Sequence, residues 1–332
     1  MKCSLFAVLV PAVALAVFSA AAQDAPAVKI GILADGNAGL WNAALAAAKE
    51  VAGEKGASLT LEIPSPATPE AQRELAEKMI ANGVKALAVA PVNAEKQADF
   101  LKELAAKIPL ALLMNDAPDS GRVCFIGEDP AEAGRALGAL TDKALPHGMK
   151  VAVFAGNPDA SPEKERIAGL RESLAPGDYT LDVLSTDHGD RSLLRALADE
   201  LLQNRPEIGA YFGLSPYHAG VLWQAAKENN RERMISVLVC GDSAEARAGL
   251  ETGGVFAAAI TDAEALGREA ARTLAGLAGA GERRELPGDG KITLTPKTVV
   301  TEKTRSVEDV LDALQIPRVL EETTIIPRPS FD

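Results

Sequence analysis

Two hydrophobic periods take turns along this chain. Short apolar runs bounded by turn residues occupy 28–33, 59–63, 86–90 and 110–114, and amphipathic stretches of helix length fill 41–55, 70–82 and 94–106 between them. The cycle restarts at Lys150, with strand-like runs at 150–154, 180–184, 210–212 and 237–240 and helical stretches at 164–174, 192–204 and 219–229. A strand–helix alternation of this kind needs crossover helices, so the strands run parallel with helices on both faces. Two successive sets predict an α/β chain of two doubly wound parallel-sheet domains with a cleft between them.

In open parallel sheets the loops beyond the carboxyl ends of the strands converge on ligands. Those loops are 35–41, 91–93, 115–120, 157–166, 214–218 and 242–243, and they hold most of the polar candidates.

The first residues carry a different signal. Lys2 precedes an apolar stretch at 5–17, and Ser19-Ala20-Ala21-Ala22 supplies small residues before Gln23, the pattern of a cleavable export signal spanning 1–22. The apolar stretch is short for a membrane span. Cys3 lies ahead of it and so is not placed to carry a lipid after cleavage. Export to the periplasm is the expectation, with no further membrane-spanning segment.

Composition agrees with a secreted globule. Hydrophobic residues make up 47% of the chain, ample for buried cores, and the formal charge of -12 leaves no basic face for nucleic acid. Beyond the signal only Cys124 and Cys240 remain, both in apolar runs, where buried thiols or a single bridge are the alternatives.

Catalytic patterns are weak. Ser215, His218 and the many aspartates could be drawn into a triad, but Leu214-Ser215-Pro216-Tyr217 lacks the Gly-x-Ser-x-Gly elbow of a secreted hydrolase. His147, His188 and His218 occur singly, without metal-ligand spacing, and no glycine-rich phosphate loop follows the first strand. No enzyme activity, metal or organic cofactor is expected.

Several loops in order are similar to those of the periplasmic sugar-binding proteins of the ribose and galactose type, relatives of the ligand-binding half of lactose-repressor-like regulators. The matching stretches are Lys29-Ile30-Gly31-Ile32 leading to Gly39-Leu40-Trp41, Ile108-Pro109-Leu110, Asn115 to Ser120, Phe125-Ile126-Gly127-Glu128-Asp129 and Glu132-Ala133-Gly134-Arg135. Arg166-Ile167-Ala168-Gly169-Leu170 and Val239-Cys240-Gly241-Asp242 complete the set. An export signal where a repressor would carry its helix-turn-helix sets the regulators aside.

The resemblance implies a type I periplasmic binding protein: a first domain of 23–125 plus 262–285, a second of 126–261 plus 290–300, and a tail at 301–332. It places three crossovers near 124–129, at Thr261-Asp262 and in 279–290, with the strand at 291–294 returning to the second domain. A short helix is predicted at 307–314.

The resemblance also nominates a ligand site. Trp41 would stack on an apolar ligand face from its loop, with Asp35 and Asn37 beside it and Asn115 and Asp116 following the fourth strand. Arg166 would fork onto ligand oxygens, Asp242 would supply a carboxylate, and Ser215, Tyr217 and Thr261 would complete the lining. Met114, Ala90, Ser215 and Thr261 stand where the family usually has polar side chains, which points away from a standard pentose or hexose. His188 or Tyr217 would serve if a second ring is needed. The implied partners are a small polar ligand, a sugar or a sugar derivative, and either the permease of an ABC transporter or a sensor kinase. A monomer is expected, because a two-domain clamp must hinge freely.

Overall fold

The computed structural model describes residues 27–303, apart from 147, 160, 175–178, 281, 283 and 284. The signal, the tail helix at 307–314 and His147 lie outside the described residues.

The first domain contains β1 (Val28–Leu33), α1 (Ala38–Glu54), β2 (Ala57–Glu62), α2 (Pro69–Ala81), β3 (Ala86–Val89), α3 (Ala98–Lys107), β4 (Leu110–Leu113) and β5 (Cys124–Glu128). The second contains α4 (Pro130–Gly138), α5 (Thr141–Ala144), β6 (Lys150–Ala155), α6 (Ser161–Ser173), β7 (Thr180–Thr186) and α7 (Arg191–Asn204). It continues with β8 (Ile208–Gly213), α8 (His218–Glu228), β9 (Ser236–Cys240), α9 (Ala244–Thr252) and β10 (Ala257–Ile260). The chain ends its described course with α10 (Ala263–Leu277), β11 (Lys291–Leu294) and β12 (Lys297–Val300).

The strands form two six-stranded sheets, ordered β2-β1-β3-β4-β5-β11 and β7-β6-β8-β9-β10-β12. Every ladder is parallel except β10 with β12. Strands β3, β4, β8 and β9 are buried along their whole length, as continuous apolar runs covered on both faces must be. The edge strands β2 and β7 are only partly buried.

Two of the crossings end in an aspartate that starts a helix in the opposite domain. The Asp129 carboxylate accepts from the Ala131 and Glu132 N–H groups to cap α4, and that of Asp262 accepts from Ala265 to cap α10. Each helix is then held by backbone contact. A Cβ on Gly134 would lie 2.1 Å from the Arg166 carbonyl oxygen and one on Gly169 1.9 Å from that of Ala131, so α4 and α6 touch main chain to main chain. In the first domain Gly267 brings α10 as close to the Ala44 carbonyl of α1, where a Cβ would lie at 2.3 Å.

Three boundary expectations are corrected. The strand 291–294 does not return to the second domain: as β11 it pairs in parallel with β5, Lys291 opposite Phe125, and completes the first sheet. The segment 279–290 is therefore a connection within the first domain, and the third crossing is the short step at Thr295-Pro296 between β11 and β12. Likewise β5 stays in the first sheet through Glu128, which pairs with Leu294 of β11, so the first domain runs on past 125 and the crossing falls at the end of the expected 124–129. The open edge beside β5 decides both, since a parallel neighbour satisfies its backbone groups. Cys124 and Cys240 are fully buried in separate clusters, one in each domain, and do not form the bridge the sequence left open.

Candidate functional site

Strand order reverses between β1 and β3 in the first sheet and between β6 and β8 in the second, where βα loops diverge and leave a crevice. A buried side chain from the neighbouring helix occupies each crevice. In the first domain it is Gln72 of α2, fully buried, whose amide nitrogen donates to the carbonyls of Ala34 and Ala90 at 2.7 Å each. Its oxygen accepts from Val92 N and from the Gln97 amide, and Gln97 in turn accepts from Asn93 N. Four main-chain groups at the ends of β1 and β3 are thus satisfied by two neutral amides.

Around this seal lie the first-domain candidates. Asp35 accepts from the indole Nε1 of Trp41 at 2.8 Å and from Asn37 N, while Asn37 caps α1 by accepting from Leu40 N. Trp41 is a correction: it sits within α1, not in the loop, and at 1% exposure it packs in the first-domain core. Helical spacing turns the ring toward the sheet, and its one polar atom is consumed by Asp35, so no ring face is open to a ligand in this conformation. Asn115 is exposed and donates to the Pro91 carbonyl. Asp116 is held in a two-bond ion pair by Arg122, at 2.5 and 2.8 Å, which spends its acceptors on the loop itself.

The crevice of the second domain is filled by a charge. Glu163 of α6, 8% exposed, accepts from Gly156 N at 3.1 Å, Asn157 N at 2.5 Å and the Ser215 hydroxyl at 2.7 Å. Beside it Asp187, at the end of β7 and fully buried, accepts from the Tyr217 hydroxyl, from Gly189 N and from His218 Nε2 at 2.9 Å. The Nδ1 of His218 accepts from Ser215 N, so Nε2 carries the hydrogen and the ring is neutral. Burial pushes the His218 pKa below its usual value despite the attraction of Asp187 and Glu163. Both ring nitrogens are engaged and the Ser215 hydroxyl faces Glu163, so the serine–histidine dyad of a hydrolase is not assembled. Asp242, at the end of β9, pairs with Arg247. His188 is exposed on a turn at φ 52°. Among the described residues no three His, Cys, Asp or Glu side chains converge as metal ligands would.

A third group gathers where the domains join. Glu128, at the end of β5, accepts from the Thr261 hydroxyl at 3.2 Å, which links the first crossing to the second; Thr261 also lies 3.8 Å from the Met114 sulfur. Met114, just past β4, holds a left-handed backbone at φ 63°, a strained choice for a long side chain. Arg166 of α6 donates through Nη1 to the Leu214 carbonyl at 3.2 Å, and its Nη2 stands 3.8 Å from Glu128 Oε1, beyond hydrogen-bond range. Burial raises the Glu128 pKa, and Arg166 and Thr261 offset this only in part.

Residues 30–283 match the family model described as a periplasmic binding protein domain. This chain belongs to that family. No curated protein matches it in sequence. Solved structures share the periplasmic binding protein fold. AraP, an arabinose binding protein from Geobacillus stearothermophilus, is 17% identical, with 87% of this chain and 99% of that one aligned at a TM-score of 0.71. GanP, a glucose-galactose binding protein from the same organism, is 20% identical, with 83% and 98% covered at 0.63. A mutant XylFII-LytSN complex is 19% identical, with 84% and 100% covered at 0.66. At these identities the likeness is one of fold.

Sequence reasoning passed over Gln72, Glu128, Glu163 and Asp187. Glu163 lay inside a flagged loop and Glu128 inside a quoted stretch, but nothing in one dimension marks a carboxylate as buried. Asp187 follows β7 in Asp187-His188-Gly189-Asp190, a turn-rich run at a strand end that could have found it.

Proposed function

We propose that this chain is an exported solute-binding protein that captures a small, uncharged polyhydroxy ligand, a sugar or sugar derivative, between its domains and delivers it to an ABC transporter in the periplasm. The observation that carries this reading is the convergence of both domains on Arg166, Glu128 and Thr261 at the crossovers, where a ligand touching one set of strand ends is within reach of the hinge. Charge argues against an anion: Asp116 and Asp242 are cancelled by arginines, and Glu128, Glu163 and Asp187 outnumber Arg166 and Arg191; the choice of a neutral ligand over a cation rests on the sugar-binding neighbours. AraP and GanP, named for arabinose and for glucose and galactose, give the reading its ligand class.

Ligand binding would favour the closed arrangement through its differential contacts with the two domains. A thermal-shift screen of residues 23–332 against sugars, polyols, sugar acids and nucleosides tests this. A ligand at about 100 times its Kd stabilises by about 2.7 kcal/mol, a readily seen shift, and the hits should be uncharged. Hits confined to sugar acids or nucleosides would overturn the ligand class. Arg166→Ala should weaken the best hit by about 1.5 to 3 kcal/mol in calorimetry, the range for a hydrogen bond to a charged group. A second reading, presentation of the ligand state to a membrane receptor, is favoured by the neighbour solved as a complex with LytSN. Capture of a permease or of a receptor from solubilised membranes by the ligand-loaded protein separates the two.

A further inference from the structure

Two polar atoms at the crossovers have no partner. Glu128 Oε1 and Arg166 Nε are both buried and unbonded, while the second Glu128 oxygen is held by the Thr261 hydroxyl and Arg166 Nη1 by the Leu214 carbonyl. The Glu128 side chain is 9% exposed, so water satisfies it poorly. A carboxylate and a half-buried guanidinium this close would ordinarily close to a hydrogen-bonded pair, since leaving their buried atoms unsatisfied costs more than turning a rotamer. They do not close, because Thr261 anchors the second Glu128 oxygen and Leu214 O anchors Nη1. Met114, whose backbone is left-handed, reaches the same Thr261 with its sulfur, and strain beside orphaned polar atoms is the signature of a place kept open for a ligand.

We propose that Glu128 is a specificity-determining residue of the binding site: its Oε1 accepts from a ligand hydroxyl while Arg166 Nε donates to the oxygen beside it, so that the two read a pair of neighbouring hydroxyls. This rests on the polyhydroxy reading above and deepens it. Acceptor and donor belong to side chains that approach to 3.8 Å, one from the first crossing and one from α6 of the second domain. Adjacent hydroxyls offer one donated hydrogen and one oxygen lone pair, and bridging the two residues also ties the domains together. An amine would satisfy Glu128 alone and a carboxylate Arg166 alone; a diol satisfies both.

The test uses calorimetry on the mature protein with D-arabinose, D-xylose, D-glucose, D-galactose and D-allose and with the sugar derivatives and polyols of the thermal-shift screen, and with the monodeoxy analogues of whichever binds. Wild type should discriminate against one monodeoxy analogue by at least about tenfold, as a charge-assisted hydrogen bond implies. Glu128→Met should bind the parent sugar about tenfold to a hundredfold more weakly and no longer distinguish it from that analogue. Glu128→Gln, which keeps an acceptor but not the charge, should recover part of both. A merely structural Glu128 would weaken parent and analogue alike and leave their ratio intact, and that result in a folded Glu128→Met protein, or in Glu128→Gln should the methionine variant not fold, overturns the proposal. If wild type binds neither these sugars nor any sugar derivative or polyol of the thermal-shift screen, the polyhydroxy reading fails and this inference falls with it, an outcome distinct from polyhydroxy binding that Glu128 does not read.

Discussion

The two switch points solve one geometric problem with opposite chemistry. Between β1 and β3 the neutral amide of Gln72 donates to two strand-end carbonyls; between β6 and β8 the Glu163 carboxylate accepts from two strand-end N–H groups and a hydroxyl. The sheets share one strand order, so the difference lies in which main-chain groups each loop leaves unpaired. Loops that leave both carbonyls and N–H groups free call for amides, which donate and accept, and loops that leave only N–H groups free call for an acceptor. The first domain thereby gains a rim without titratable parts at its seal, and the second a buried anion beside a neutral histidine.

Exchanging the two side chains breaks the comparison most severely. Gln72→Glu sets a buried carboxylate against the Ala34 and Ala90 carbonyls, and an uncompensated buried charge costs about 3 to 5 kcal/mol. Urea denaturation at pH 7 should show that loss, and it should shrink at pH 5 as the new carboxyl is protonated. The reciprocal Glu163→Gln keeps the shape but turns an amide toward N–H donors. It should cost about 1.5 to 3 kcal/mol by the same measurement, the range for a hydrogen bond to a charged group. An unchanged midpoint for either variant would mean that the seals are incidental.

A smaller effect has the opposite sign. Burial disfavours the ionised form of Glu128, so that residue lowers stability at neutral pH, and acid lifts the penalty as pH falls through its raised pKa. Glu128→Gln should therefore be more stable than wild type at pH 7 by of order 1 kcal/mol, with the gap closing in acid. Stability gained together with binding lost is the mark of a group kept for function. The smallest effect belongs to His218. Its folded pKa is depressed, so the unfolded chain takes up the proton first, and stability should decline as pH falls from the ordinary histidine value of about 6.5 toward the folded one. The variant His218→Asn should lack that slope in thermal melts across pH 5 to 8; an identical slope would show that the second rim is not the acid-sensitive one.

Much of the fold was legible in one dimension. Strand-like runs at 28–33 and 291–294 match β1 and β11 to the residue, because a short apolar run between turn residues has few other structures open to it. The partner of β11 was not legible: Lys291-Ile292-Thr293-Leu294 could line either sheet, and only the free edge of β5 chose. Trp41 shows the same limit within the site. Its place shortly after the first strand is visible in sequence, but α1 begins at Ala38 and its inward face carries the ring into the core. Asp116 and Asp242 were visible as acids at strand ends, whereas their arginine partners, six and five residues on, look like ordinary surface charge until the loops fold.

The sequence by itself determined the period of the elements, the doubling of the βα set and which strand-end loops carry polar side chains, since these depend on local patterning and chain order. Tertiary structure alone decided which carboxylates are buried, which arginines cancel them and which two atoms at the crossovers are left without partners. Burial and pairing are properties of groups brought together from distant parts of the chain, and Glu128, Arg166 and Thr261 meet only after both sheets have closed.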